Sequence, residues 1–201
     1  MRTHRADIFD FEAIRTAFED QDVVLHLAAK PGENYTWEEL LDTNVEDARH
    51  VFRAAFEAGV QRVVFASSGA TIAGWEQDEP CRSLVVGKYE DLPDAWPIIT
   101  VDMPSRPRCI CGSTKVRGEA LADHCGATTG VSFVTIWIGF VNLENRPTNA
   151  RQRSVWCSQR DVVNAIEASV NGPLSLKDET FFANSANGYS YRDLRHGANR
   201  L

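Results

Sequence analysis

Asp22-Val-Val-Leu-His-Leu-Ala-Ala29 stays apolar, apart from one histidine, from its second residue to its last. The run is too short for an ordinary helix and shows no alternation, so it predicts a strand buried on both faces, as in parallel sheets. Lys30-Pro-Gly-Glu-Asn34 follows with the chemistry of a loop. Thr36-Trp-Glu-Glu39 then reads as a capping box. It opens a stripe of Trp37, Leu40, Leu41, Val45, Ala48, Val51, Phe52, Ala55 and Phe56 that stops at Gly59. This spacing predicts one amphipathic helix over 36–59 with a glycine C-cap. Arg62-Val-Val-Phe-Ala-Ser67 is a second strand. Strand, helix and strand with short joints make the βαβ unit of a doubly wound parallel sheet.

Outward from this unit the pattern continues. Upstream, a polar, basic stretch leads to Phe11, Ile14, Ala17 and Phe18 at helical spacing, with Asp10 as the N-cap. Downstream, residues 69–108 hold Gly74, Pro80, Gly87, Pro93, Pro97, Pro104 and Pro107, and so long a connection is usually functional or mobile. A turn at 106–110 runs into a helix carrying Lys115, and Val131-Ser-Phe-Val-Thr-Ile-Trp-Ile138 is another buried strand. A helix over Val162, Val163, Ala165, Ile166, Ala168 and Val170 ends near Gly172-Pro173. A last strand, Thr180-Phe-Phe-Ala-Asn184, and a polar tail close the chain.

Composition bounds the function. With 201 residues, 43% hydrophobic and 24% charged, the chain has the makings of one full core. A net charge of −7 and the lack of a Lys/Arg cluster argue against a nucleic-acid partner. Five cysteines, an odd number without C-x-x-C spacing, argue against disulfides and structural zinc, so no metal is expected. No apolar run reaches membrane length and the first residues lack a signal-peptide core. The expectation is a cytoplasmic protein without a membrane partner.

In open α/β sheets ligands lie at the carboxyl ends of the strands. The residues there are Leu27-Ala28-Ala29, Ser67-Ser68-Gly69 and Ile138-Gly139. Small residues let a flat ligand lie against the backbone and serines can bond it, although each glycine or alanine equally suits a tight turn. Asn44 interrupts the apolar stripe, where a buried amide needs a partner, a ligand or an internal brace. Lys115 follows Cys111 by one helical turn, and Gly118, Glu119 and Ala122 share that face. Taken alone, a C-x-x-x-K of this kind reads as a solvated surface lysine with Cys111 as a small buried filler.

Together, His26-Leu-Ala-Ala29, Asn44-Val45, Val63-Val-Phe-Ala-Ser-Ser68, Gly112-x-x-Lys115 with Gly118-Glu119, and Ile138-Gly139 resemble the extended short-chain dehydrogenase/reductase superfamily. Within it they resemble the NAD-dependent epimerase/dehydratase family, and Trp156-Cys-Ser-Gln-Arg-Asp161 is similar to its sugar and uronate dehydrogenases. The resemblance implies a Rossmann-like fold with NAD or NADP on residues 1–140 and a smaller substrate-side region at 141–201. It implies that Asp7 and Ile8 flank the adenine, that Leu27, Ala28, Ala29, Asn44, Ser67 and Ile138 line the cofactor site, and that Lys115 grips the nicotinamide ribose. Ser68, Cys111 and Lys115 would form the catalytic set, with Ser68, Gly69, Ser158 and Arg160 facing a sugar, sugar acid or nucleotide-sugar. A sugar oxidoreductase, a nucleotide-sugar epimerase or dehydratase, and a non-catalytic NAD(P)-binding paralogue all fit this pattern. The family further implies a homodimer through helices 36–59 and 111–128, with Trp37 and Phe52 as its apolar surface.

Two departures mark the chain. The family's Tyr-x-x-x-Lys is Cys111-Gly-Ser-Thr-Lys115, which replaces the proton-transferring phenol by a shorter thiol, and Gly69 stands where many relatives have a third serine. The family's opening G-x-x-G-x-x-G strand, turn and helix do not occur in the 201 residues. A sheet without that first strand is expected to expose an apolar edge at the first run.

Overall fold

A computed structural model describes residues 3–32, 34–90 and 92–200. Met1, Arg2, Glu33, Asp91 and Leu201, which include parts of the polar start and of the 30–34 loop, lie outside the described residues. Four strands, β1 (Val23–His26), β2 (Arg62–Ser68), β3 (Ser132–Ile138) and β4 (Asp178–Ala183), form one parallel sheet in sequence order. Every strand therefore ends at the same edge. His26 is level with Phe65, Ser68 with Ile138, and Ile138 with Ala183.

The first helix, α1 (Phe11–Arg15), starts where Asp10 accepts a hydrogen bond from the Ala13 amide at 3.0 Å. The expected 36–59 helix begins with both bonds of the capping box, the Thr36 amide to Glu39 at 2.8 Å and the Glu39 amide to Thr36 at 3.3 Å. It is not uniform. Between α2 (Trp37–Leu40) and α3 (Asp47–Glu57), residues Leu41–Glu46 form a wider π-helical turn, in which the Asp47 amide reaches back to the Asp42 carbonyl. Such turns occur where a side chain engages elsewhere, and Asn44 sits in the middle of this one. Gly59 ends the helix at φ +73°, a conformation that favours glycine.

Helices cover both faces of the sheet. On one face α3 and the long α5 (Ile110–Thr129) pack Val51, Phe52, Ala55 and Ala122 on Val63, Phe65 and Phe133. Gly118 permits this approach, because a Cβ there would lie 2.7 Å from Phe65 Cζ. On the other face α7 (Gln159–Asn171) sets Val162, Ala165, Ile166 and Val170 against Val64, Val134, Ile136 and Phe181. These layers are those of the expected Rossmann-like α/β fold, and β4, from beyond residue 140, is part of the same sheet.

Several expectations need correction. β1 is buried on one face only, with Val24 and His26 inside but Leu25 39% and Leu27 51% exposed, because α7 packs on β2, β3 and β4 and leaves that side of β1 open. Phe52 offers no surface for a partner, since it stacks edge-on to Phe65 and Phe133 in the core. The long 69–108 connection holds a 3₁₀ segment (Gly69–Gln77) and α4 (Cys81–Val86). The closing segment is packed rather than a free polar tail: Ile99 bridges Arg192, and Tyr191 is buried with Ile72, Leu84, Trp137 and Phe182 in a core of its own. Two short helices, α6 (Gln152–Val155) and α8 (Arg195–Arg200), complete the chain.

Candidate active site

The carboxyl edge of the sheet gathers the small strand-end residues, and α5 leans over it. Its N-cap is Cys109, whose sulfur accepts from the Gly112 amide at 3.3 Å. One face of α5 then points Cys111, Lys115, Gly118 and Ala122 inward, all of them buried, with Glu119 beside them. Lys115 Nζ donates to the Ala66 carbonyl at 2.7 Å and lies 4.8 Å from the Phe65 ring centroid. Burial lowers its pKa to about 8, while the nearby Cys111 and Glu119 pull the other way. So this lysine is not a surface residue.

Glu119, one helical turn further on, accepts from the Ser67 hydroxyl and from Trp137 Nε1, the latter at 2.7 Å. Burial raises its carboxyl to about 7 in spite of these two bonds. His26 stacks on Phe65 with centroids 5.6 Å apart, and burial followed by the charge of Lys115 lowers its pKa to about 3. The imidazole is therefore neutral at physiological pH. Asn44 serves as a brace: it donates to the Lys30 carbonyl at 3.2 Å and to Thr114 Oγ1 at 3.3 Å, and accepts from the Lys30 amide at 2.8 Å. The π-helical turn thereby ties the loop after β1 to α5. Cys111 Sγ also faces the Lys30 carbonyl, at 3.8 Å.

The other named residues have surroundings of their own. Ser68 Oγ accepts from the Ala70 amide at 3.1 Å and caps the 3₁₀ segment at the end of β2. Ser158, taken as substrate-facing, is the N-cap of α7: its hydroxyl accepts from the Asp161 amide at 2.9 Å, and it is buried. Arg160 is on the α7 surface, its side chain 84% exposed and 3.7 Å from the adjacent Asp161. Asp7 accepts from the Phe9 amide at 3.1 Å, and the Ile8 carbonyl lies 3.4 Å from His50 Nδ1. Leu27 is exposed and Ala28 and Ala29 line the loop beyond β1.

A buried cation that no sequence motif pointed to is Arg192, whose side chain is 1% exposed. Its guanidinium lies over Gly69, where a Cβ would come within 2.6 Å of Cζ. It belongs to a polar group in which Arg151 grips Glu76 with two bonds of 2.6 and 2.8 Å and Tyr191 donates to the same carboxylate at 2.6 Å. Beside Arg151 a cavity of about 300 Å³ is lined by Val85, Phe140, Asn149, Ala150 and Gln152. A lone arginine in a polar segment carries no periodic signal. The only hint in the sequence is that Gly69 gives up a side chain.

A parallel sheet with helices on both faces and all its strands ending at one edge is a Rossmann-like α/β fold. The chain belongs to the NAD dependent epimerase/dehydratase family, whose profile matches residues 1–156. It is 29% identical over 199 residues to an L-arabinose 1-dehydrogenase (NAD(P)(+)) of Haloferax volcanii, covering 94% of this chain and 75% of that protein. With a uronate dehydrogenase of Pseudomonas putida it shares 30% over 192 residues, 96% of this chain and 63% of the relative. Among solved structures it resembles the uronate dehydrogenase from Agrobacterium tumefaciens (27% identity, 97% of this chain and 65% of that one, TM-score 0.79). A tyrosine-to-alanine mutant of that enzyme, complexed with NAD, gives a TM-score of 0.80 at the same identity and coverage. The chain thus spans less than two thirds of the uronate dehydrogenases it matches. Among the described residues no helix is long and apolar enough to cross a membrane.

Proposed function

We propose that this chain carries the active-site core of an NAD(P)-dependent sugar dehydrogenase, with a uronate or aldose as substrate and with the proton acceptor weakened. The observation that carries the reading is Lys115, a buried ammonium fixed to the Ala66 carbonyl where β2 ends. Arabinose and uronate dehydrogenases stand among the relatives, and one relative is complexed with NAD although a tyrosine is gone.

The residues present fit the nicotinamide side of such a cofactor. Ala28, Ala29 and Ile138 leave a flat surface, Asn44 fixes the loop beside it, and Lys115 supplies the donor for ribose hydroxyls. Asp7 and Ile8 take the adenine side. A glycine-rich cradle for the pyrophosphate is not among the 201 residues. NAD, when bound, supplies the hydride acceptor. The chain's own part is the proton: Lys115 stabilises an anion at position 111, and Ser68 orients the sugar hydroxyl. The Cys111 thiol is shorter than a phenol and faces the Lys30 carbonyl, so proton transfer is impaired. That same substitution favours a second reading, a non-catalytic NAD(P)-binding paralogue. Residues 1–140 hold the cofactor in either case, and 141–201 give the substrate side. The protein works in the cytoplasm and pairs as a homodimer through the exposed Trp37, Leu41 and Ile110 of the two helices rather than through Phe52.

The test joins the glycine-rich first strand, turn and helix of a relative to this chain, carrying Cys111→Tyr, and assays NADH against uronates, aldoses, hexose phosphates and nucleotide-sugars. NADH with a keto or lactone product is expected. An epimerised nucleotide-sugar without net NADH would assign the other branch of the family, and NAD binding without turnover would assign the non-catalytic reading.

A further inference from the structure

The cavity beside Arg151 lies beyond the ends of β2 and β3, and its wall joins an apolar side to uncharged polar groups. Phe140 comes just past Gly139 at the end of β3, and its backbone is pinned. Its amide donates to the Val155 carbonyl at 2.8 Å and its carbonyl accepts from the Cys157 amide at 2.9 Å. The residue is 40% exposed and shares the cavity with Val85 of α4. Asn149 and Gln152 have their side-chain oxygens bonded within the wall, the first to the Gln152 amide at 2.9 Å, the second to the Thr148 amide and hydroxyl at 2.7 and 2.9 Å. Their amide nitrogens are therefore the neutral donors of the cavity.

Among the described residues of this wall the charged one is Arg151. Its Nε and Nη2 meet both oxygens of Glu76, at 2.6 and 2.8 Å, and Tyr191 holds the same carboxylate at 2.6 Å. Arg192, 3.9 Å from Glu76, is buried against Gly69 and does not line the cavity. A carboxylate or phosphate entering here would meet a guanidinium fork that is already closed. To open it the newcomer must displace Glu76, whose side chain is 11% exposed and would lose its paired charge. The volume, about 300 Å³, is at the lower end of the ~300–1,000 Å³ of ligand pockets. That suits one sugar ring and not a nucleotide-sugar.

We propose that this cavity holds an uncharged monosaccharide, with Phe140 against the C–H face of its ring, and that Glu76 determines specificity by occupying Arg151 against acid sugars. The proposal rests on the sugar-dehydrogenase reading and narrows its substrate to a neutral aldose.

Calorimetric titration of the 201-residue chain with two pairs, D-glucose and D-glucuronate, D-galactose and D-galacturonate, tests this. Each acid differs from its partner only in having the terminal hydroxymethyl group oxidised to a carboxylate. In at least one pair the neutral sugar is expected to bind roughly tenfold or more tightly than the acid. Glu76→Gln opens the fork, so the acid sugar should gain roughly tenfold while the neutral sugar changes by less than about threefold. Phe140→Ala should weaken the neutral sugar by about fivefold or more. Circular dichroism checks the fold of each variant, and Glu76→Asp, which draws the carboxylate back from the fork, takes over should Glu76→Gln not fold. An acid sugar that binds as tightly as its partner in both pairs, no binding of any of the four, an acid affinity unmoved in the folded Glu76 variant, or indifference to Phe140→Ala would overturn the proposal. If the neutral sugar binds in this way but the tyrosine-bearing fusion makes no NADH from any sugar, the subsite stands and the dehydrogenase reading falls. NADH from a uronate in preference to its aldose leaves that reading standing and overturns the role of Glu76.

Discussion

Two arginines are buried at opposite ends of the same sheet, and their surroundings differ. Arg62, where β2 begins, is 0% exposed. It donates to Ser132 Oγ at 3.0 Å and to the carbonyls of Ser169, Gly172 and Pro173 at 3.0, 2.6 and 2.5 Å. These carbonyls end α7, where a helix leaves acceptors unpaired and its dipole favours a cation. Charge and acceptors satisfy each other. Arg192, where the strands end, is as well hidden but has one bond and an open Nε. At the floor of the sheet a buried charge meets the carbonyls that end a helix, whereas at the upper edge Arg192 Nε and Asn184 Nδ2 are buried without a partner among the described residues.

The largest expected effect breaks the lower end. Arg62→Met should cost about 3–5 kcal/mol in urea unfolding, since it strands the carbonyls that end α7. Arg192→Gln should cost about 1 kcal/mol or less. Similar losses for the two would erase the contrast.

A second expectation uses the carboxyl buried at the upper edge. Burial raises the Glu119 carboxyl from the usual 4.5 to about 7. Its contribution to stability is therefore fully present below about pH 4.5 and is lost as pH rises through 7. Glu119→Gln removes the titration. The variant should gain on the wild type between pH 4.5 and 7, by about 3 kcal/mol at most, in denaturation curves taken across that range. Lys115, lowered from 10.5 to about 8, acts in another window, adding stability above 10.5 that is lost as pH falls through 8. A difference independent of pH would mean that the Glu119 carboxyl is not held in its neutral form.

Smaller effects follow from two packing sites. Gly118→Ala drives a methyl into Phe65, which His26 backs on stacking, and should cost about 1–3 kcal/mol. Asp47 is fully buried, and neither of its oxygens has a hydrogen-bond partner among the described residues. Burial raises its pKa to about 7, helped by Asp7 and Asp42. Asp47→Ala should therefore raise the urea midpoint, by about 1 kcal/mol in stability at pH 8. A loss there would point to a partner for this carboxylate.

The lower half of the molecule was legible in the sequence because periodic burial wrote it there: the βαβ runs, the capping box at Thr36 and the inward face of α5 all follow from spacing. The upper edge was legible only in part. Lys115 and the small strand ends stood out by position, but the partners of Glu119 and the brace made by Asn44 come from residues tens of positions apart. The π-helical turn at Leu41–Glu46 follows from those tertiary bonds and not from local preference. Ser158 and Arg160 were named from a motif, which gives the order of residues but not that Ser158 caps α7 or that Arg160 turns outward. Arg192 was invisible for a related reason: it is fixed by the bridge to Ile99 and by the space over Gly69.

The most direct test of the upper edge as a dehydrogenase site is NADH formation from an aldose by the fusion protein in four forms: Cys111, Cys111→Tyr, and each with Lys115→Ala. The Cys111 form is expected at background, the tyrosine should raise turnover by about 10²-fold or more, and Lys115→Ala should abolish that gain. Robust turnover with Cys111 that survives Lys115→Ala would contradict the assignment of proton transfer to this pair of positions.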